Sequence, residues 1–316
     1  MVQAPVVAKD PADESADEPA DGPLEDLASF NDSSSVSWVL VPVVARHNGP
    51  RKRPLRKLER EDFRLSVDGR EVEVGSFESG DDNPIRLVFL QDLSGSMANA
   101  GKLDASRQAL ELFMADARPG DELSLATFTA AEVTIPVPWT GDVGELRKAA
   151  ADWQPWGRTA LHDAVAFLPR IRASDQSLRR AAILLTDGGD NASELSPTQA
   201  REIVRAAELP IYVLDLRLGR PLEAPKPYET SVAQVLQLLA QLTGGRYFAV
   251  TDIEALEAAH AAIAEELREQ YVLGFATRSA GTAAQHTIEL KIPSRRKARL
   301  SYRHGYYGHL PTIADR

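Results

Sequence analysis

The chain has 316 residues, no cysteine and a formal net charge of −10 at pH 7. Its 43% apolar and 26% charged residues are those of an ordinary globular protein, and its length allows about two domains. No run approaches the roughly 18 apolar residues of a membrane span, and the lack of cysteine excludes disulfides and thiolate metal sites while leaving the compartment open.

Residues 1–34 hold nine acids (Asp10, Asp13, Glu14, Asp17, Glu18, Asp21, Glu25, Asp26 and Asp32) against Lys9 alone. The rest of the chain is therefore close to neutral and offers no global field for nucleic acid. Rich in Ala, Pro, Asp and Glu, the segment cannot bury enough apolar surface to offset its ordering entropy and reads as a disordered acidic tail. It lacks the basic start and apolar core of a signal peptide.

Residues 35–80 read as a β segment. The run from Val36 to Val44 is β-branched, and Pro42 inside it suggests an edge strand. Apolar and polar residues alternate from Glu61 to Val74 around Asp68-Gly69, a hairpin signal. Between them Arg46, Arg51, Lys52, Arg53, Arg56, Lys57 and Arg60 read as a solvated basic loop. No aromatics interleave with these charges, as a nucleic-acid surface would require.

Short apolar strands then alternate with amphipathic helices over 81–269, the pattern of a doubly wound, mostly parallel α/β sheet. Strands are expected near 85–91, 122–129, 132–137, 181–186, 210–216 and 246–250. Helices are expected near 101–117, 142–151, 160–172, 197–208, 230–242 and 253–269. The strands at 122–129 and 132–137 are too close for a crossover helix, so one edge strand should be antiparallel. Ser196-Pro197 opens a helix, Thr251 or Asp252 caps the last one, and Leu242-Thr243-Gly244-Gly245 stops one. There is no Gly-x-Gly-x-x-Gly after the first strand and no Gly-Lys-Ser/Thr loop, which argues against nucleotide chemistry. Residues 270–308 return to β structure and should pair with 35–80, making a small β unit from both chain ends, before a tail at 309–316. Tyr271, Tyr302, Tyr306 and Tyr307 fit the core and rim of that unit.

The stretch that carries chemistry is Leu87-Val88-Phe89-Leu90-Gln91-Asp92-Leu93-Ser94-Gly95-Ser96-Met97. An apolar strand breaks into a carboxylate and two hydroxyls at its carboxyl end, where open α/β sheets place ligand sites. Asp92, Ser94 and Ser96 can aim three hard oxygens at one point, which suits a hard divalent cation. Gly95 and Gly188 are read as letting the backbone turn tightly.

Asp-x-Ser-x-Ser after an apolar strand resembles the metal-ion-dependent adhesion site of von Willebrand factor A domains. That resemblance implies two further parts: a Thr on a later loop, supplied by Thr159 in Trp156-Gly157-Arg158-Thr159-Ala160-Leu161, and an Asp after another buried strand, supplied by Asp187 in Leu184-Leu185-Thr186-Asp187-Gly188-Gly189-Asp190. Over 36–308 the chain also resembles the bacterial von Willebrand factor A-related family first recognised in Acidobacteria. Its marks are Leu58-Glu59-Arg60-Glu61-Asp62-Phe63, Arg158-Thr159-Ala160-Leu161-His162-Asp163-Ala164, Thr243-Gly244-Gly245-Arg246 and Glu266-Leu267-Arg268-Glu269-Gln270-Tyr271. Members commonly carry export signals, so the resemblance favours a secreted or extracytoplasmic protein, although this chain shows no signal.

The resemblance implies Ser94 and Ser96 as direct ligands, Asp92 and Asp187 as charge supplied directly or through water, and Thr159 as a ligand that changes with state. Mg²⁺ or Mn²⁺ fits such a hydroxyl-rich set better than Ca²⁺. It also implies an open position for an Asp or Glu from a protein partner. Asp190 could hold a metal-bound water or stabilise its own turn, and Asp163 could do the same or serve the helix dipole. A structural subunit whose metal only rigidifies the loops is the alternative. A metal-dependent hydrolase is disfavoured, because no base or nucleophile is placed beside Asp92. The last helix, 253–269, is the element to watch for a conformational switch.

Overall fold

The computed structural model describes residues 37–48, 53–79, 83–130, 132–171, 179–206, 209–219, 232–277 and 285–307. The expected tails at 1–34 and 309–316, and Arg51 and Lys52, lie outside the described residues.

The chain begins with β1 (Ser37–Arg46), β2 (Arg64–Val67), β3 (Arg70–Val72) and β4 (Ser76–Glu78). The α/β part follows as β5 (Arg86–Asp92), α1 (Lys102–Ala115), β6 (Glu122–Phe128), β7 (Val133–Thr140), α2 (Val143–Ala151), α3 (Leu161–Phe167) and β8 (Arg180–Thr186). It continues through α4 (Pro197–Ala206), β9 (Ile211–Leu216), α5 (Val232–Thr243), β10 (Tyr247–Val250) and α6 (Ile253–Arg268). Four more strands close the described chain: β11 (Tyr271–Thr277), β12 (Gln285–Lys291), β13 (Arg299–Tyr302) and β14 (Gly305–Tyr307).

The central sheet runs β10-β9-β8-β5-β6-β7. All its pairings are parallel except β6 with β7, so the tight connection does produce an antiparallel edge strand. Every residue of β5 is buried, because both faces of the strand are covered. Leu87 and Phe89 pack with Leu110 and Phe113 of α1, Leu146 of α2 and Ile263 of α6. Val88 and Leu90 point the other way, onto Leu161 and Val165 of α3, Val204 of α4 and Leu236 of α5. From β5 the chain moves to β6 on one side and later returns to β8 on the other. The carboxyl end of β5 is thus the switch point of the sheet, where a crevice opens.

Both chain ends build two further antiparallel sheets, β13-β1-β11-β4 and β14-β12-β2-β3, over a shared core of Val41, Val43, Phe63, Leu65, Tyr271, Leu273, Phe275 and Leu290. Tyr271 stacks on Phe77 and lies tilted against Phe63, and Tyr302 and Tyr306 are also buried. Asp68 and Gly69 take φ of 49° and 76°, the left-handed pair that a tight two-residue hairpin needs, and join β2 to β3.

Two sequence expectations are corrected. The strand carrying Pro42 is not an edge strand, since β1 lies between β11 and β13. The sheet is staggered: β11 covers Ser37 to Val43 and β13 covers only Val43 to Arg46. Pro42 therefore falls where β1 has a neighbour on one flank, which is the local condition proline requires. Arg46 is no part of a solvated loop. It ends β1, is buried, and pairs with Ser301 and Glu266.

Helix ends follow ordinary capping chemistry. Ser196 Oγ accepts from Gln199 N at 3.3 Å and Gln199 Oε1 accepts from Ser196 N at 3.0 Å, a capping box at α4. Asp252, rather than Thr251, caps α6 by accepting from Ala255 N at 2.8 Å.

Candidate metal centre

The end of β5, the 3₁₀ turn Gly95–Ala98, the loop before α3 and the end of β8 meet at one place. Two backbone hydrogen bonds dock the α3 loop onto the β5 loop: Trp156 N to Leu93 O at 2.8 Å and Gly95 N to Gly157 O at 3.0 Å. Gly95 is needed for this closeness rather than for its φ, since a Cβ there would meet Gly157 O at 3.3 Å.

Asp92 is buried completely. One of its oxygens accepts from Ser94 N at 2.8 Å and the other from the Thr186 hydroxyl at 2.7 Å. Its neighbours are neutral donors, and burial pushes its carboxyl up to about 6; those hydrogen bonds pull the other way, and the charge of Asp187 raises it further.

Ser94 Oγ and Ser96 Oγ lie 3.2 Å apart, and Ser96 Oγ donates to Asp187 Oδ1 at 2.8 Å. The structure thus gathers oxygens of Asp92, Ser94, Ser96 and Asp187 from two strand ends. Ser96 is only half-buried, so the cluster opens to solvent there. Exposed Trp156 and Arg158 stand on the adjoining loop, Trp156 with 63% of its surface free.

Thr159 is buried, and its backbone is fixed by Asn191: the Thr159 N–H donates to Asn191 Oδ1 at 3.0 Å and its carbonyl accepts from Asn191 N and Ala192 N. Asp190 accepts from His162 N at 3.0 Å and from the Ser193 hydroxyl at 2.5 Å, and its Oδ2 lies 3.2 Å from His162 Nδ1. Burial opposes ionisation of Asp190, but these partners outweigh it and hold the carboxyl below its ordinary range. Asp163 accepts from Glu194 N at 2.9 Å and Leu195 N at 3.0 Å. Asp163 and Asp190 thus bind the β8–α4 loop to the start of α3, which is turn and helix-end work.

Sequence reasoning missed Lys102. It is the first residue of α1, 2% exposed, and its ammonium donates to Asp187 Oδ2 at 2.5 Å and to Ser96 O at 3.2 Å. A lysine there is penalised twice, by burial and by the positive end of the helix dipole. The signal available was its position, a cation opening the helix that follows an oxygen-rich loop.

Among the described residues no three His, Cys, Asp or Glu side chains gather as a metal-binding group. The donor set here is of another kind, two carboxylates and neutral hydroxyls. All are hard oxygens within hydrogen-bonding distance of one another or of a shared partner, and they fit a hard cation that keeps some of its water.

The sequence model of the von Willebrand factor type A domain matches residues 87–189, from β5 through the turn after β8. The chain carries a von Willebrand factor type A domain. Inter-alpha-trypsin inhibitor heavy chain H3 of Bos taurus is 31% identical over 145 residues, which is 42% of this chain and 16% of that protein. Heavy chain H4 of Sus scrofa is 29% identical over 133 residues, 39% of this chain and 14% of that protein. The chain therefore corresponds to a small part of these curated relatives. A solved von Willebrand factor type A structure from Catenulispora acidiphila aligns at a TM-score of 0.50 and 12% identity, covering 86% of this chain and 75% of that one, a likeness of fold. The fold likeness extends well beyond the region matched as a von Willebrand factor type A domain.

Proposed function

We propose that this von Willebrand factor type A domain is a metal-dependent protein-binding module. The observation that carries the reading is the meeting of Asp92, Ser94, Ser96 and Asp187 oxygens at the switch point of the sheet, with a half-buried Ser96 at the solvent face. Ser94 and Ser96 would hold Mg²⁺ or Mn²⁺ directly, with Asp92, Asp187 and Thr159 contributing directly or through water. The cation would supply a Lewis-acid position for an Asp or Glu side chain of a protein partner.

The chain's own residues prepare that position. The Leu93–Trp156 and Gly95–Gly157 backbone bonds hold the loops together, and the Thr186 hydroxyl fixes one oxygen of Asp92. Exposed Trp156 offers a partner a rigid aromatic anchor beside the opening, the residue type that dominates interface energetics. A binding role is favoured over hydrolysis. The imidazole near the site, His162, is tied to Asp190 on α3's first turn, and Asp163 is engaged by two backbone N–H groups. A setting outside the cytoplasm is part of the proposal. Among the described residues, no helix is long and apolar enough to cross a membrane.

The test is calorimetric titration of Mg²⁺ and Mn²⁺ into EDTA-stripped protein beside a Ser94→Ala, Ser96→Ala double variant. Saturable heat is expected in the wild type and none in the folded variant. Equal heats in both would remove the site from this loop. Partner capture that persists in the folded variant would favour the alternative, a structural subunit whose metal only stiffens the loops.

A further inference from the structure

We propose that Lys102 is a built-in counter-cation of the metal centre, which weakens cation binding and leaves a bound cation with charge that a single partner carboxylate completes. The inference rests on the binding reading above and goes beyond it, because Lys102 belongs to none of the expected ligands.

Three observations carry it. The Lys102 side chain is 2% exposed, and its ammonium sits against Asp187 Oδ2 at 2.5 Å and Ser96 O at 3.2 Å. Asp187 holds Ser96 Oγ with its other oxygen, so one carboxylate bridges the lysine to the hydroxyl pair. And the lysine opens α1, where the helix dipole disfavours positive charge. Chemistry at the oxygen cluster accounts for a cation held there against two penalties, whereas a surface role would leave it free to reach water.

The consequence follows from charge. Asp92, Asp187 and Lys102 together carry one negative charge when both acids are ionised. A divalent cation turns that into one positive charge, and one incoming carboxylate brings it to zero. Without Lys102 the two acids alone would neutralise the cation, which would bind more tightly and attract a carboxylate less. In the absence of metal the same ammonium keeps Asp187 from standing as an unpaired buried charge, so the loops stay assembled while empty.

The experiment compares the wild type with Lys102→Met and Lys102→Arg. Mg²⁺ and Mn²⁺ affinities are measured by calorimetry, and acetate displacing Mn²⁺-bound water is read by proton relaxation. Removing one positive charge within a few ångströms of a divalent cation should tighten metal binding by about ten-fold or more and weaken acetate binding by a similar factor. Lys102→Arg, which keeps the charge, should stay near the wild type. A residue that merely packs would give the opposite result, since damage to the loops loosens metal.

Equal or weaker metal binding in Lys102→Met, with the wild type binding normally, overturns the inference and leaves the binding reading intact. No binding in either protein overturns the binding reading and the inference with it. Binding by Lys102→Met alone would show that the lysine replaces the metal in the native protein, which overturns the binding reading and the inference with it. Lys102→Met should also melt lower in EDTA and recover in Mg²⁺. If it does not fold in EDTA, refolding from denaturant in Mg²⁺ decides: recovery supports the role, and failure in both conditions overturns it.

Discussion

Two aspartates three hydrogen bonds apart meet opposite environments. Asp187 faces an ammonium, whereas Asp92 faces only an N–H and hydroxyls inside the sheet, and burial lifts its carboxyl to about 6. The folded, metal-free protein therefore holds a proton on Asp92 at a pH where the unfolded chain, near 3.8, has released it. Stability of the metal-free protein should fall as pH rises from about 4 through 6, by roughly 3 kcal/mol at most. Asp92→Asn should abolish that loss, raising metal-free stability at pH 7 while removing metal binding. Urea titrations in EDTA at pH 5 and pH 7 check both, and an Asp92→Asn protein that keeps the wild-type pH dependence would show that the effect lies elsewhere. With metal present the sign reverses, because the cation competes with the proton: metal affinity should weaken as pH drops below about 6.

At the scale of elements, Gly188 shows how closely the end of β8 approaches α5. Its φ is +92°, and a Cβ on it would stand 2.3 Å from Val232 Cγ1 and 3.2 Å from Leu236 Cδ1. Gly188→Ala should cost about 2 kcal/mol through backbone strain and the displaced helix start, and should loosen Mg²⁺ through the preceding Asp187. Gly189→Ala is the control: its φ is not in the left-handed region and nothing lies within 4 Å, so a change under about 0.5 kcal/mol is expected. Urea midpoints of the two variants, measured with and without Mg²⁺, test the contrast. These elements are also where the sequence was most readable. Strands β5, β8 and β9 are apolar on both faces, and α1 and α6 repeat their apolar residues at helical spacing, so local pattern alone located them. The β5 loop stood out because Asp92, Ser94 and Ser96 after an apolar strand resemble the metal-ion-dependent adhesion site and are followed in order by Thr159 and Asp187. Lys102 was hidden for the converse reason. A lysine on a helix is ordinary, and only the distant Asp187, brought close by the parallel pairing of β5 with β8, makes it part of a site. Pro42 misled because the stagger of β11 and β13 along β1 depends on strands more than 200 residues away. Arg46, at the far end of the same strand, was misread because its partners Ser301 and Glu266 lie equally far along the chain.

At the scale of the molecule, the α/β part and the β unit share a charged seam. Glu266 of α6 is 3% exposed at its side chain and accepts from Arg46 of β1 and from Arg246, the residue before β10. Beside it the Tyr212 phenol is buried and pushed well above its ordinary range, by burial and by the nearby Glu266 charge. A second tie runs through Arg179, fully buried, which pairs with Glu78 of β4 at 3.0 Å and donates to Arg268 O at 3.2 Å. A buried ion pair need not add net stability, but removing one member strands the other charge, which typically costs about 3–5 kcal/mol. Glu266→Gln should therefore be expensive, because Arg46 is buried and, among the described residues, keeps only Ser301 as a side-chain partner. Arg246→Ala should cost far less, about 1 kcal/mol, since that side chain is 39% exposed and loses mainly its place over the Phe248 ring. Urea unfolding followed by far-ultraviolet dichroism and tryptophan fluorescence separates the cases. In the wild type the two signals should fall together, as expected of parts joined through buried partners. In Glu266→Gln the midpoint should drop and the signals should part, with the β unit, reported by Trp38 on β1 in a background where Trp139, Trp153 and Trp156 are replaced by Phe, loosening first. A wild-type midpoint in Glu266→Gln would mean that the Glu266 ion pairs add nothing to the join, which would then rest on apolar packing and the Arg179–Glu78 tie.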